Sequence, residues 1–342
     1  MFTARYLAVP RFGAAAASLS FLILSAACAQ TTGTATTTPA GPAPQAPAPQ
    51  APAPAASTPA PAGRAAGAAP AAAAAAPVAP ATPTAKAADG TLIAYEKTGS
   101  GPALILVHGG GQTRRSWVER GYVERFAKRF TVITLDMRGT GGSGKPDTAE
   151  AYALDRMTGD ILAVADAAGV KQFLLVGFGH GASIGRYLAA QSDRLSGAVL
   201  ISADMGPTVS GPVKDAMRAM RAKWKPLLDA DKAGTFKLSS LSPGDQDAWK
   251  AGVARSALAL GALTEYPSLE PAAFKVPTLW VLGGADQSGL ELAKAYETKL
   301  SGTKVQYKTV AGLSYSDTFY RTDAVATEIE PFLIANAPAA GK

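Results

Sequence analysis

The sequence predicts an α/β protein whose mostly parallel sheet is covered by helices on both faces. Three observations carry this. From about residue 89 onward, short apolar runs alternate with segments of helical periodicity, the pattern of parallel strands joined by crossover helices. Several of the runs end abruptly in glycine-rich turns, at His108-Gly-Gly-Gly111, Gly177-Phe-Gly-His-Gly181 and Gly283-Gly284. Finally, the alternation stops over 204–276 and resumes at 277, which reads as a helical insertion folded over one end of the sheet.

The elements follow in order. Strands are expected at 92–97, 103–107, 131–135, 172–176, 197–202, 277–282 and 304–310. Helices are expected to begin near Ser116, Leu154, His180, Ser288 and Thr318. The insertion is rich in Lys, Trp, Met and Ala and is punctuated by Pro207, Pro212, Pro226, Pro243, Pro267 and Pro271. Trp224 and Trp249 are expected to form its core. The domain boundaries are therefore 89–203 and 277–340 for the core and 204–276 for the cap, and a run of this length is ample for one hydrophobic core.

The N-terminal part is different in kind. Arg5 and Arg11 precede an apolar stretch from Ala14 to Ala27 that is too short for a membrane span, so residues 1–29 read as an export signal. Ala27-Cys28-Ala29 fits cleavage before Gln30. Leu24-Ser-Ala-Ala-Cys28 also resembles a bacterial lipobox, with the leucine one place too far upstream, and that reading would put a lipid on Cys28. The protein is thus expected to be exported, either freely or held at a membrane through Cys28. Cys28 is the sole cysteine, so no intramolecular disulfide can form. Residues 30–88, almost wholly Ala, Pro, Thr and Gly, hold about half of the 25 prolines. They contain too little large apolar surface to offset the entropy of ordering and are expected to be a spacer. The net charge of +7 is concentrated here, because Arg5, Arg11, Arg64 and Lys86 precede residue 89 with no acid among them. The rest carries +3, an ordinary balance that gives no support to nucleic acid binding.

The central motif is Leu174-Leu-Val-Gly177-Phe-Gly179-His180-Gly181-Ala-Ser183. A hydrophobic strand enters a glycine turn and a helix begins at once, as in the G-x-S-x-G nucleophile elbow. The serine position holds Gly179, which has no side chain to attack anything. Gly181-Ala-Ser183-Ile-Gly185 satisfies G-x-S-x-G as text, but no strand precedes it, and Ser183 falls one helical turn beyond the elbow. Gly177-x-Gly179-x-x-Ala182, with Asp204 ending the next strand, also satisfies the dinucleotide fingerprint, because both turns need glycine for tight bending and close helix packing. That motif usually opens its domain, whereas here strands precede it. Gly139-x-Gly141-x-x-Gly144 runs into Lys145-Pro146 and reads as a loop.

Four segments in order, Leu104–Gly111, Thr131–Ser143, Leu174–Ala190 and Pro277–Asp286, resemble the α/β-hydrolase fold superfamily, near its capped esterase, epoxide-hydrolase and haloperoxidase-like members. The resemblance covers nearly all of 89–340 and implies a sheet of the eight-stranded type, a helical cap and an acyl-transfer site. Carried across residue by residue, it puts Gly179 at the nucleophile position and Asp286 at the acid. It puts oxyanion donors at the N–H groups of Gly110 and His180, and the pocket near His108, Gly109 and Asp204. The catalytic base position, after the last strand, falls on Tyr315, or on Ser314 if the register is off by one. Nucleophile and base are both replaced while acid and oxyanion donors remain.

Two functions follow from this. The first is a pseudo-hydrolase that binds a small molecule without acyl-transfer chemistry. The second is a rearranged enzyme, hydrolase or lyase, in which His180 acts as the base and Asp286 or Asp204 orients it. The plain structural readings stand beside these: His108 bracing the glycine turn, Asp286 capping a helix, Tyr315 as a core aromatic. With glycine at 179, the bare helix start at His180 is expected to accept a small carboxylate, a phosphate or the carbonyl end of a larger ligand beneath the cap. No metal or cofactor is implied.

Overall fold

The computed structural model describes residues 82–338 apart from Ser210 and Ala251. The expected export signal, Cys28 and nearly all of the Ala/Pro-rich segment lie outside the described residues. Among the described residues no helix is long and apolar enough to cross a membrane.

Eight strands form one sheet in the order β1-β2-β4-β3-β5-β6-β7-β8. They are β1 (Thr84–Lys86), β2 (Leu92–Thr98), β3 (Ala103–Val107), β4 (Thr131–Leu135), β5 (Phe173–Phe178), β6 (Leu195–Ile201), β7 (Thr278–Gly283) and β8 (Val305–Val310). Only β2 runs antiparallel to its neighbours β1 and β4; from β4 to β8 every pairing is parallel. The mostly parallel sheet is the expected one. The spacer boundary at residue 88 needs correction, because Thr84–Lys86 pair with Leu92–Ala94 and bury Ala85 and Ala87. The small residues of Thr-Ala-Lys-Ala carry no strand signal of their own, and they are ordered by the edge they extend.

The strands are apolar along their whole length because both faces are covered. In β3, Ile105 and Val107 face one hydrophobic cluster, Leu104 and Leu106 the other, and all four are fully buried. The helices outside the cap are α1 (Arg114–Glu119), α2 (Tyr122–Phe126), α3 (Leu154–Ala167), α4 (His180–Gln191), α8 (Gln287–Tyr296), α9 (Asp317–Tyr320) and α10 (Thr322–Ala335). The cap carries α5 (Gly211–Lys232), α6 (Pro243–Lys250) and α7 (Val253–Ala262). Trp224 and Trp249 lie 6.4 Å apart between ring centroids, and Phe236 stacks 4.3 Å from Trp249, so these aromatics do form the cap core.

Two buried ion networks hold the loop after β4. Asp136 accepts from the backbone N–H groups of Arg114 and Gly142 and pairs with the Arg114 guanidinium. Arg138, 1% exposed, donates to Asp160, Asp89 and the Ala151 carbonyl. Removing one partner from such a pair leaves an uncompensated buried charge, at a cost of roughly 3–5 kcal/mol. Asp160→Ala should therefore lower the unfolding free energy from denaturant titration by an amount in that range, whereas Asp155→Ala, on the exposed side of the same helix, should leave it nearly unchanged. Equal effects from the two would remove Arg138 from the architecture.

Candidate active site

The turn between β5 and α4 keeps the full geometry of an elbow. A Cβ on Gly177 would lie 2.6 Å from the backbone of Ala182, and one on Gly181 would lie 2.2 Å from the Val107 carbonyl oxygen. Both residues must be glycine for the helix to start this close to the strands. Gly179 sits between them at φ 49° and ψ −111°, a left-sided conformation that an L side chain enters only with strain. Its N–H donates to the Ile201 carbonyl at 2.9 Å, and its own carbonyl accepts from Ser183 N–H at 2.8 Å. Ser183 is therefore inside the first turn of α4 and is 8% exposed.

Tyr315 faces this turn. Its hydroxyl oxygen lies 2.5 Å from the place a Cβ on residue 179 would take. The phenol fills the space in which a nucleophile side chain would stand. The same contact rules against the dinucleotide alternative at Gly177, Gly179 and Ala182, since a phosphate on this turn would need that space. Burial pushes the Tyr315 hydroxyl above its ordinary pKa, and the nearby carboxylates of Asp204 and Asp286 add to the shift. Its loop is pinned from below. Thr318 Oγ1 donates to the Tyr315 carbonyl at 2.6 Å and lies 2.8 Å from Ser202 Oγ. Ser202, at φ 50°, is the one non-glycine residue with positive φ among the described residues. Of the two residues offered for the base position, Tyr315 faces the turn, whereas Ser314 turns away to donate to Asp317 at 2.6 Å.

Asp286 ends the β7 segment and caps α8, accepting from Gly289 N–H at 3.1 Å. Burial raises its pKa, and the Gly289 bond opposes the rise. Asp204 follows β6 where the cap departs. Burial lifts its carboxyl from 3.8 to about 6, Arg186 opposes the shift and Asp286 adds to it.

The histidines separate clearly. His108 is fully buried; its Nδ1–H donates to the Gly109 carbonyl at 2.8 Å and its Nε2 accepts from Met137 N–H at 3.1 Å. Both nitrogens are committed to bracing the glycine turn against the β4 loop, and burial holds the ring below its ordinary pKa. His180 is 8% exposed and its Nε2 has no hydrogen-bond partner. Burial pushes its pKa down to about 3, with His108 adding to the shift. Neither Asp286 nor Asp204 is bonded to the His180 ring. This corrects the reading of His180 as a base oriented by one of those acids. A ring that stays neutral far below neutral pH, with no carboxylate to steady an imidazolium, is a weak proton acceptor.

The oxyanion side is partly spent. Gly109 N–H donates to the Gln112 side chain at 2.8 Å. Gly110 lies between the cap and the elbow, where a Cβ would be 3.2 Å from Leu260 and 4.0 Å from His180 Cβ. The N–H of His180 opens α4, where no intrahelical acceptor exists. Beside these groups is a cavity of about 20 Å³, lined by Gly109–Gly111, Met137–Thr140 and His180 from the core and by Arg255, Ser256, Ala259 and Leu260 from α7. That volume holds about one water. It reaches His180 but not Gly179, so the expected ligand position against Gly179 is corrected: the Tyr315 hydroxyl has taken that place and left the free space on the far side of His180.

A family model described as the alpha/beta hydrolase fold matches residues 102–288. The chain belongs to the α/β-hydrolase fold family. Epoxide hydrolase A of Mycobacterium tuberculosis is 30% identical over 120 residues, 34% of this chain and 37% of that protein. Fluoroacetate dehalogenase of a Burkholderia species is 37% identical over 95 residues, 27% and 30% of the two chains. The aligned stretch spans about a third of these curated relatives. Among solved structures, a malate-bound thermophilic esterase from Thermogutta terrifontis has a TM-score of 0.57 at 20% identity, covering 75% of this chain and 99% of that one. The bottromycin epimerase BotH, bound to bottromycin A2, has a TM-score of 0.56 at 23% identity, covering 73% and 98%. These two likenesses are of fold.

For this α/β-hydrolase-fold chain, sequence reasoning missed Arg255. The signal was there: Arg255 is the lone charge in Val-Ala-Arg-Ser-Ala-Leu-Ala-Leu-Gly-Ala, the whole of α7.

Two outcomes are expected. Gly179→Ser should destabilise the fold through strain and the Tyr315 contact, and Tyr315→Phe, which removes the hydroxyl, should recover part of the loss. The double-mutant cycle should show a favourable coupling of roughly 0.5–3 kcal/mol; strict additivity in thermal unfolding would mean the two sites do not touch. Asp204 tests the acid cluster. Its folded pKa lies above the unfolded value, so the native state binds more protons between pH 3.8 and about 6. Stability should fall as pH rises through that window. Asp204→Asn should flatten the fall and be more stable at pH 7, by up to about 3 kcal/mol for a two-unit shift. An unchanged slope would remove Asp204 as its source.

Proposed function

We propose that the protein is a pseudo-hydrolase: an exported α/β-hydrolase scaffold that binds a small molecule bearing an anionic or carbonyl end and performs no acyl transfer. The observation that carries this reading is the contact at the elbow. Residue 179 offers no hydroxyl, thiol or carboxylate, and the Tyr315 hydroxyl stands 2.5 Å from the position where its side chain would begin. The base position is occupied by that phenol, whose pKa is raised further by burial, so it neither accepts a proton at neutral pH nor leaves room for an imidazole. The triad is replaced on two sides by one group.

Ligand binding is supported by what remains. Gly177 and Gly181 still hold α4 against the strands. The glycine turn still faces the cap, and a cavity still separates the two. The fold admits purposes other than ester hydrolysis: one neighbour of similar architecture is named as an epimerase and was solved in complex with bottromycin A2. One relative is named for a small carboxylate, fluoroacetate.

The test is chemical. The full chain should not react with a fluorophosphonate probe and should not hydrolyse short p-nitrophenyl esters above the rate of a heat-denatured control. Gly179→Ser alone should remain inactive, because a serine without a base keeps its proton and meets Tyr315. Gly179→Ser with Tyr315→His should give a measurable gain. Stoichiometric labelling of the unaltered protein, at Ser183 or elsewhere, would overturn the reading. Equal activity of the single and double variants would show that another base already serves the site.

A further inference from the structure

The interior cations of the core are bonded. Arg114 pairs with Glu96 and Asp136, and Arg138 with Asp89 and Asp160. Arg186 donates to the Asp204 carbonyl, Tyr187 and Thr208. Arg186 also leaves its Nε without a partner. Arg255 comes from the cap, from the only charged position of α7. It is half-buried, its Nε has no hydrogen-bond partner, and no ion pair reaches its guanidinium among the described residues. It lines the same cavity as His180, whose Nε2 is also buried and unpartnered. One residue from the core and one from the cap thus line a single small space, each with a nitrogen that has no hydrogen-bond partner among the described residues.

We propose that this cavity is a carboxylate site in which Arg255 and His180 together hold the anionic head of a small organic acid, with α7 closing over it. The proposal rests on the ligand-binding reading above and names the ligand class. Charge favours a monoanion: one unpaired guanidinium compensates one negative charge, and a dianion would carry a second into walls made of glycine, Met137, Ala259 and Leu260. Geometry favours a carboxylate, because the guanidinium presents planar paired donors that match its two oxygens. His180 supplies a neutral N–H, free to take whichever tautomer donates. The start of α4 adds the partial positive charge of its unbonded N–H groups. The apolar lining suits a short hydrocarbon tail. At about 20 Å³ the cavity is sized for a water, so entry of the acid requires α7 to move outward from Gly110, which Leu260 of α7 faces.

Isothermal calorimetry and thermal-shift titration of the full chain with acetate, butyrate and benzoate should detect binding by the millimolar range. Acetamide, which is neutral, and inorganic phosphate should bind more weakly. Arg255→Gln should reduce carboxylate affinity by about tenfold or more, Arg255→Lys should fall between, and His180→Phe should also weaken binding. Without ligand, Arg255→Gln should melt no lower than the unaltered protein, because it breaks no ion pair and no hydrogen bond seen among the described residues. A lower melting temperature would make Arg255 a structural residue and overturn the proposal. So would absence of any carboxylate binding, equal binding by Arg255→Gln, or phosphate binding as tightly as butyrate. Ester hydrolysis by the unaltered protein would overturn the pseudo-hydrolase reading and leave these affinities as they are, so the two failures are separable.

Discussion

Everything at the candidate site depends on how closely α4 approaches the central strands. The constraint is steric and lies in two glycines. A Cβ at Gly181 would enter the Val107 carbonyl, and one at Gly177 would enter the backbone of Ala182. With both absent, the helix starts within contact distance of β3 and β5. Residue 179 is then forced into a tight turn of positive φ, and the first N–H groups of the helix point toward the glycine turn at 109–111. His108 braces that turn from the other side through both ring nitrogens. None of these features needs a nucleophile. The geometry of an elbow is complete here with glycine at residue 179.

The fold was legible because its signals are local and redundant. Each parallel strand is a short apolar run ended by glycine, and burial on both faces requires such runs. The strands Ala103–Val107 and Thr131–Leu135 and the helix starts at Leu154 and His180 could be read to the residue. What could not be read was order imposed from outside the segment. Thr84–Lys86 is a strand only because β2 has an unpaired edge, and the short Tyr122–Phe126 helix takes its place from aromatic packing of Tyr122 against Trp117 and Phe319.

At the site, the position of each motif residue was legible and its orientation was not. Gly179, Tyr315, Asp286 and His180 all lie at the elbow or at its rim. Their side-chain directions depend on partners far away in sequence. Tyr315 is aimed by Thr318 and Ser202. Asp286 is turned toward Gly289, and Ser314 toward Asp317. His180 is left alone because no acid of the cluster turns to it. Spacing along the chain carries none of this, since it is decided by which hydroxyl or N–H happens to lie within 3 Å once the sheet has assembled. Arg255 did carry a sequence signal, as the lone charge of its helix, but spacing along the chain does not say that this helix lines the cavity beside His180.

The two replacements at the elbow are best understood as one. A side chain at residue 179 must hold positive φ, a strain of roughly 1–3 kcal/mol that active sites maintain for the sake of chemistry. Glycine enters that conformation freely, so Gly179 releases the strain. It also leaves a hole under the cap, and an unfilled hole in a packed interior costs in proportion to its volume. Tyr315 fills it with a hydroxyl at the very position a Cβ would need. Each change makes the other favourable, and restoring either alone produces a clash or a void. On the pseudo-hydrolase reading, the pair therefore resists change at either position alone. Arg255 lies outside this pair, on the cap side of the cavity that His180 lines, where no ion pair reaches it among the described residues.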